Sequence, residues 1–196
     1  MQIFDAGTRF GEYARTLYPG GVLVQADWWN RESALEETLE LLTSGSACVL
    51  FEPAFLWKNT FVRCDIFERN DATNWSLWEV KAVAAPSASH IFDLAVQSAV
   101  TMNHLEEIDP KYEIAVYGII HLAGKTAVNA LLSCAVKEFD INRSDFTEDT
   151  IRLLPEVEHM IDVANDVVAD PNPPTIQVGK QCHKPYECPY LGTVCK

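Results

Sequence analysis

Basic residues are scarce in this sequence of 196 residues. Lys and Arg number 15 against 28 Asp and Glu, for a formal net charge of −13. That shortage excludes a protein that coats nucleic acid by bulk electrostatics, because phosphate binding wants a positive surface. It leaves room for a local metal site that handles phosphates. Long apolar runs are lacking as well. The longest, Ile114 to Ala123, contains His121 and is too short to span a bilayer, so no membrane partner is expected. Asp5, Arg9, Glu12 and Arg15 break up any secretory signal core near the start. No internal repeat and no low-complexity tract is present. A cytoplasmic location is therefore expected. In that reducing compartment the 6 cysteines read as core residues or metal ligands rather than disulfides.

What is present is ordinary for one globular domain: 48% hydrophobic residues and a ring supply of 9 Phe, 6 Tyr and 5 Trp, enough to build a core. Helices are expected over Phe4 to Leu17, Ser33 to Leu42, Ser87 to Leu105 and Phe146 to Ala169. In the second, Leu35, Leu39 and Leu42 recur at helical spacing and Gly45 is a stop signal. In the last, Pro155 marks a kink or a fresh start. Strands are expected over Ala47 to Phe51, Phe61 to Glu68, Ser76 to Val83, Glu113 to Leu122 and Thr126 to Phe139. The polar turn Asp71 to Asn74 joins the second and third into a hairpin. The order implies an α/β fold with a mixed central sheet flanked by helices. Asp170 to Pro174 links a domain over residues 1–174 to a Cys-rich tail over 175–196. Cys48, Cys64 and Cys134 sit singly in apolar runs and read as small buried hydrophobes. Cys182, Cys188 and Cys195 crowd a tail with too few apolar residues to pack itself, so something else should hold it.

The chemistry concentrates on the hairpin. Glu79 and Lys81 project to one face because strand side chains alternate, and the pairing brings Asp65 alongside. Two carboxylates with open oxygens hold Mg²⁺ or Mn²⁺. A lysine beside them can stabilise charge growing on a phosphoryl group. The competing reading is a surface hairpin with an ion pair two residues apart. Glu52 ends an apolar strand, where a charge is unexpected unless it is paired or coordinated. His90, Asp93, Gln97 and Thr101 form a polar stripe on the helix that follows. Such a stripe faces either solvent or the same cleft.

Asp65, Glu79-x-Lys81 and a following helix bearing Gln97 resemble the PD-(D/E)XK nuclease superfamily, in its RecB-like branch. The closer likeness is to an uncharacterised family related to the CRISPR-associated iron–sulfur exonucleases. Supporting blocks run in order along the chain: Gly7-x-x-Phe10-Gly11-Glu12-x-Ala14-Arg15, Phe51-Glu52-x-Ala54-Phe55, Val62-Arg63-Cys64-Asp65, Glu79-Val80-Lys81, Asp93-x-x-x-Gln97, and Cys182-x-x-Pro185-Tyr186-x-Cys188-Pro189 with Cys195. The resemblance implies a restriction-endonuclease-like core. It makes Asp65 and Glu79 metal ligands, with the Val80 carbonyl a third and Glu52 an acidic neighbour. Lys81 becomes the catalytic lysine, and Gln97 the residue that helps place substrate or the attacking water. Cys182, Cys188 and Cys195 would be ligands of a [4Fe-4S] cluster.

The chain departs from the family in three places. The fourth cluster cysteine comes from a segment before the first helix, which this sequence does not carry. An N-terminal segment or a protein partner would supply it. Otherwise the cluster is incomplete, or Zn²⁺ binds through Cys182, His183, Cys188 and Cys195, where adjacent Cys182 and His183 make the geometry awkward. Thr8 and Arg9 stand where relatives carry a metal-binding histidine, and Thr101 stands where a tyrosine often follows the glutamine. The implied activity is metal-dependent, exonuclease-like hydrolysis of DNA, single-stranded or at duplex ends. The alternative is a catalytically silent nuclease-fold module that binds nucleic acid or protein. The acidic balance then places substrate contact on a local surface, with Arg63, Lys81, Lys180 and Lys184 as candidates.

Overall fold

The computed structural model describes residues 2–27, 29–133, 138–172, 176–184 and 187–193. Cys134 and Cys195 lie outside them. The chain divides into two compact units, residues 1–161 and 162–196.

Helix α1 (Gln2–Thr16) leads to a short strand, β1 (Val22–Leu23). Helix α2 (Arg31–Ser44) is capped by Asn30, whose side chain accepts from the Ser33 N–H at 3.2 Å. Gly45 ends it at φ 65°, a conformation glycine adopts without a Cβ clash. Five strands follow: β2 (Val49–Phe51), β3 (Ala54–Trp57), β4 (Thr60–Arg63), β5 (Ile66–Arg69) and β6 (Asn74–Lys81). Helix α3 (Ala88–Ile108) crosses over to β7 (Glu113–Leu122), and α4 (Gly124–Leu132), β8 (Ile141–Asp145) and α5 (Thr147–Ala169) complete the order.

The main sheet has six strands in the order β1-β2-β5-β6-β7-β8. The β1–β2 and β6–β7 pairs are parallel and the others antiparallel, so the sheet is mixed, as expected. Strand alternation sorts its side chains into two cores. Leu50, Phe67, Trp75, Leu77 and Ile119 pack with Leu94, Ala95 and Ala99 of α3 and with Leu154 and Val157 of α5. Phe51, Ile66, Trp78, Ile120 and Leu122 pack with Phe10 and Ala14 of α1 and with Ala127 and Leu131 of α4. Glu79 and Lys81 continue the row begun by Trp75 and Leu77, which places them on the α3 face.

Several expectations need correction. The segment read as one strand from Phe61 to Glu68 breaks at Cys64 and Asp65. Its first half pairs with β3 in a separate two-stranded ribbon, and its second half joins the main sheet. The segment from Thr126, read as strand, is helical as far as Leu132. Ala127 and Leu131 lie four apart on one buried face, a period that the β-branched and apolar composition concealed. In α2 the buried stripe is Ala34, Thr38 and Leu42, while Leu39 is exposed. Thr38 is buried because its hydroxyl accepts from the Ala54 N–H at 2.9 Å and donates to the Ala34 carbonyl at 2.7 Å. Cys48 is exposed, since Ala47 takes the inward position beside it. Strands β1, β3 and β8 were not expected, being short or, for β8, polar.

Gly118 on β7 makes room for the Trp78 indole from the neighbouring strand. A Cβ there would collide with that ring and lie 2.9 Å from the Ser144 carbonyl oxygen. Gly118→Ala is expected to destabilise the fold by about 1–3 kcal/mol through overpacking, read as a lower urea midpoint at an unchanged m value.

Candidate active site

Two chain reversals build the site. β2 and β5 pair with Phe51 opposite Ile66, and the ribbon pairs with Ala54 opposite Arg63. Both pairings share one register, so together they form a single long hairpin that bends at Glu52-Pro53 and Cys64-Asp65. Two backbone bonds hold the bend: Glu52 N–H to the Asp65 carbonyl at 3.1 Å, and Cys64 N–H to the Pro53 carbonyl at 3.0 Å. Glu52 bends there with φ 56°, a left-handed conformation that a non-glycine residue seldom adopts. Extending the β5–β6 register by one residue sets Asp65 opposite Glu79. Glu52, Asp65 and Glu79 thus stand side by side on three neighbouring strands.

Each acid is held differently. Glu79 is 6% exposed, and its two oxygens are divided between two donors. Gln97 Nε2 donates to Oε2 at 2.7 Å, and Lys81 Nζ lies 2.7 Å from Oε1. Lys81 also donates to Asp93 Oδ2 at 2.5 Å. Asp65 Oδ2 accepts from the Val80 N–H at 2.6 Å. Glu52 Oε1 lies 3.4 Å from Arg15 Nη2, and Oε2 lies 3.9 Å from Arg63 Nε. The polar stripe of α3 therefore faces the cleft at Gln97 and Asp93. His90 does other work, its Nδ1 accepting from the Ser87 N–H at 3.1 Å at the helix start.

Arg63, expected as a substrate contact, donates instead to three carbonyls: Val24 at 3.1 Å, Ala26 at 2.9 Å and Glu52 at 3.1 Å. It ties the bend to the segment after β1. Thr101 lies 3.3 Å from the Cys64 sulfur, and both are buried. That contact anchors α3 to the residue immediately before Asp65. His121, in register with Lys81 on β7, is a satisfied core histidine, bonded to Ser144 Oγ at 2.9 Å and the Leu122 carbonyl at 3.1 Å.

The electrostatics follow from crowding. Burial, the Glu79 charge and, more weakly, Glu52 push the Asp65 carboxyl well above the usual aspartate range, against the opposing Val80 N–H and Lys81. Burial also raises Glu52, opposed by Arg15 and Arg63. Burial alone would lower Lys81, but Glu79 and Asp93 outweigh it and hold the ammonium charged. Burial keeps the Cys64 thiol protonated, so it packs rather than reacts.

Among the described residues, no three His, Cys, Asp or Glu side chains are arranged as a ready-made cation cage. The site still suits a hard cation. Its donors are oxygens, its acids repel one another, and the buried Gln97 Oε1 has no hydrogen-bond partner. In the second unit, Cys182 is buried and Cys188 half-buried. The Cys188 N–H donates to the Cys182 carbonyl at 2.8 Å. The third cysteine, Cys195, is outside the described residues. No described helix is long and apolar enough to cross a membrane. No protein-family model and no curated protein matches the chain.

Asp65 binds its proton more tightly in the folded chain than in the unfolded one. Stability should therefore fall as pH rises from the ordinary aspartate value near 3.8 through the raised folded value, and stay lower above it. Asp65→Asn removes the charge and keeps an acceptor for Val80. In chelator at neutral pH it should stabilise the protein by on the order of 1 kcal/mol, seen as a higher melting temperature.

Proposed function

We propose that this chain is a divalent-metal-dependent nuclease of the RecB-like PD-(D/E)XK type, with a restriction-endonuclease-like core, acting on DNA phosphodiester bonds in an exonuclease-like manner. The observation that carries this reading is the contact between Lys81 and Glu79 at 2.7 Å, in a row of acids that includes Asp65, with Gln97 closing the other side of Glu79. A structural ion pair needs neither the neighbouring Asp65 nor a buried amide oxygen left without a partner.

Asp65 and Glu79 would hold Mg²⁺ or Mn²⁺, with the Val80 carbonyl as a third donor and Glu52 beside them. The ion would supply Lewis-acid polarisation of the phosphoryl group. Lys81 stays protonated, so it serves as a cation and hydrogen-bond donor to charge growing on the phosphoryl oxygens, not as a base. Gln97 fixes the orientation of Glu79 through its amide N–H and offers its free oxygen to a water. Arg15 and Arg63 hold Glu52 at the edge of the row, which limits how much like charge Asp65 must bear. The same resemblance assigns Cys182, Cys188 and Cys195 to a [4Fe-4S] cluster in a reducing, cytoplasmic setting.

A second reading is a catalytically silent binding module. It is favoured by the engagement of each Glu79 oxygen by a protein donor. Activity separates the two. Purified protein with Mn²⁺ should shorten single-stranded or duplex-ended DNA. Lys81→Ala should lower the rate by about a hundredfold or more, while the remote Lys111→Ala leaves it unchanged. A wild-type protein that binds DNA, and is inert on every form of it with Mg²⁺ or Mn²⁺, establishes the silent module. For the tail, iron with acid-labile sulfide supports the cluster, whereas stoichiometric zinc without iron overturns it.

A further inference from the structure

Lys81 is shared. Its ammonium lies 2.7 Å from Glu79 Oε1 and 2.5 Å from Asp93 Oδ2. Gln97 donates to the other oxygen, so each Glu79 oxygen already has one protein donor and keeps a further lone pair. A cation that binds at Oε1 would stand against the ammonium already there. Gln97 is buried on the core side of α3 and is neutral, so nothing drives it away. Lys81 is charged, is carried on a flexible stem and has a side chain 24% exposed. Repulsion between an arriving cation and the ammonium selects Lys81 as the group that moves. Asp93 is already in contact with it, one turn before Gln97 on the same helix and 48% exposed at its side chain.

We propose that Asp93 is the acceptor that receives Lys81 when a divalent cation takes Glu79, so that metal entry and lysine release are one exchange. This rests on the nuclease reading only in placing the cation at Glu79. In the metal-free state Lys81 neutralises Glu79 and divides its bonds between two acids. In the loaded state Asp93 alone would hold it. Asp93 is thus a positioning residue. It lowers the competition between Lys81 and the metal without touching either metal or substrate.

Calorimetric titration of the full chain with Mn²⁺ tests the exchange through binding, independent of turnover. Lys81→Met removes the competing ammonium and should tighten Mn²⁺ binding. Asp93→Asn leaves Lys81 undivided on Glu79 and should weaken it by about three- to tenfold, the scale of a charge-assisted hydrogen bond at a partly exposed site. In the Lys81→Met background, Asp93→Asn should change Mn²⁺ affinity little, because there is no ammonium left to receive. Equal weakening in both backgrounds would mean that Asp93 acts only as remote negative charge, and no weakening in either would mean that it does not hold Lys81; both results overturn the proposal. Asp93→Ala repeats the cycle with a side chain that cannot hydrogen-bond, and near-UV spectra check that each variant is folded. If the wild type takes up Mn²⁺ and cuts DNA while the cycle shows no coupling, the exchange alone fails. If it takes up no Mn²⁺, the exchange and the metal-dependent reading fall together.

Discussion

A carboxylate buried at the end of an apolar row is the constraint from which the site follows. Glu79 succeeds Trp75 and Leu77 on one face of a central strand, and its side chain is almost closed to water. An isolated charge there would cost several kcal/mol. The fold answers with one charged and one neutral donor, Lys81 from the same strand and Gln97 from α3. That demand requires α3 to set Gln97 toward the sheet among apolar residues such as Leu94 and Ala95. The crossover from β6 to the parallel strand β7 lays the helix where that requirement is met.

The same demand explains the bend in the neighbouring hairpin. Had β2–β3 and β4–β5 continued straight, their whole length would have extended the main sheet. Instead both strands leave it at one level, and Glu52 and Asp65 sit at the corner. Arg63 secures the corner by bonding three carbonyls, and Thr101 anchors it from α3 through Cys64. The result is a row of acids whose mutual repulsion is relieved only in part by Arg15, Arg63 and Lys81. Such a site is less stable than an apolar one would be, a common property of functional sites.

The net charge of −13 takes on a narrower meaning in this light. Some of the acids are concentrated where a cation would relieve them, and in the proposed nuclease that cation partly inverts the field met by a phosphate. Arg63 is lost as a substrate contact because its guanidinium is engaged with backbone. In the proposed nuclease, direct engagement of DNA would then rest on Lys81, Lys180, Lys184 and the metal.

Much of this was legible along the chain, for local reasons. The helical period of α3, the alternation in β6 and the polar turn before it are written in consecutive residues, so Glu79, Lys81 and Gln97 could be assigned to elements. Asp65 could be set beside Glu79 by pairing alone. Residues 126–132 misled because their apolar content suits a strand as well as a helix, and only packing against α1 chose between them. The break at Cys64-Asp65 left no local mark, since β-forming residues continue through it. The roles of Arg63, Thr101 and Asp93 depend on partners 11 to 39 positions away in the chain, from Arg63 with Glu52 to Arg63 with Val24, and no periodicity encodes such contacts. The sequence by itself determined an α/β chain and which side chains carry the candidate chemistry, because periodicity and residue type act over a few neighbours. Only the tertiary structure decided that Glu79 is buried, that Asp65 stands at a bend and that Lys81 is divided between two acids, because burial and charge pairing are set by which distant elements meet.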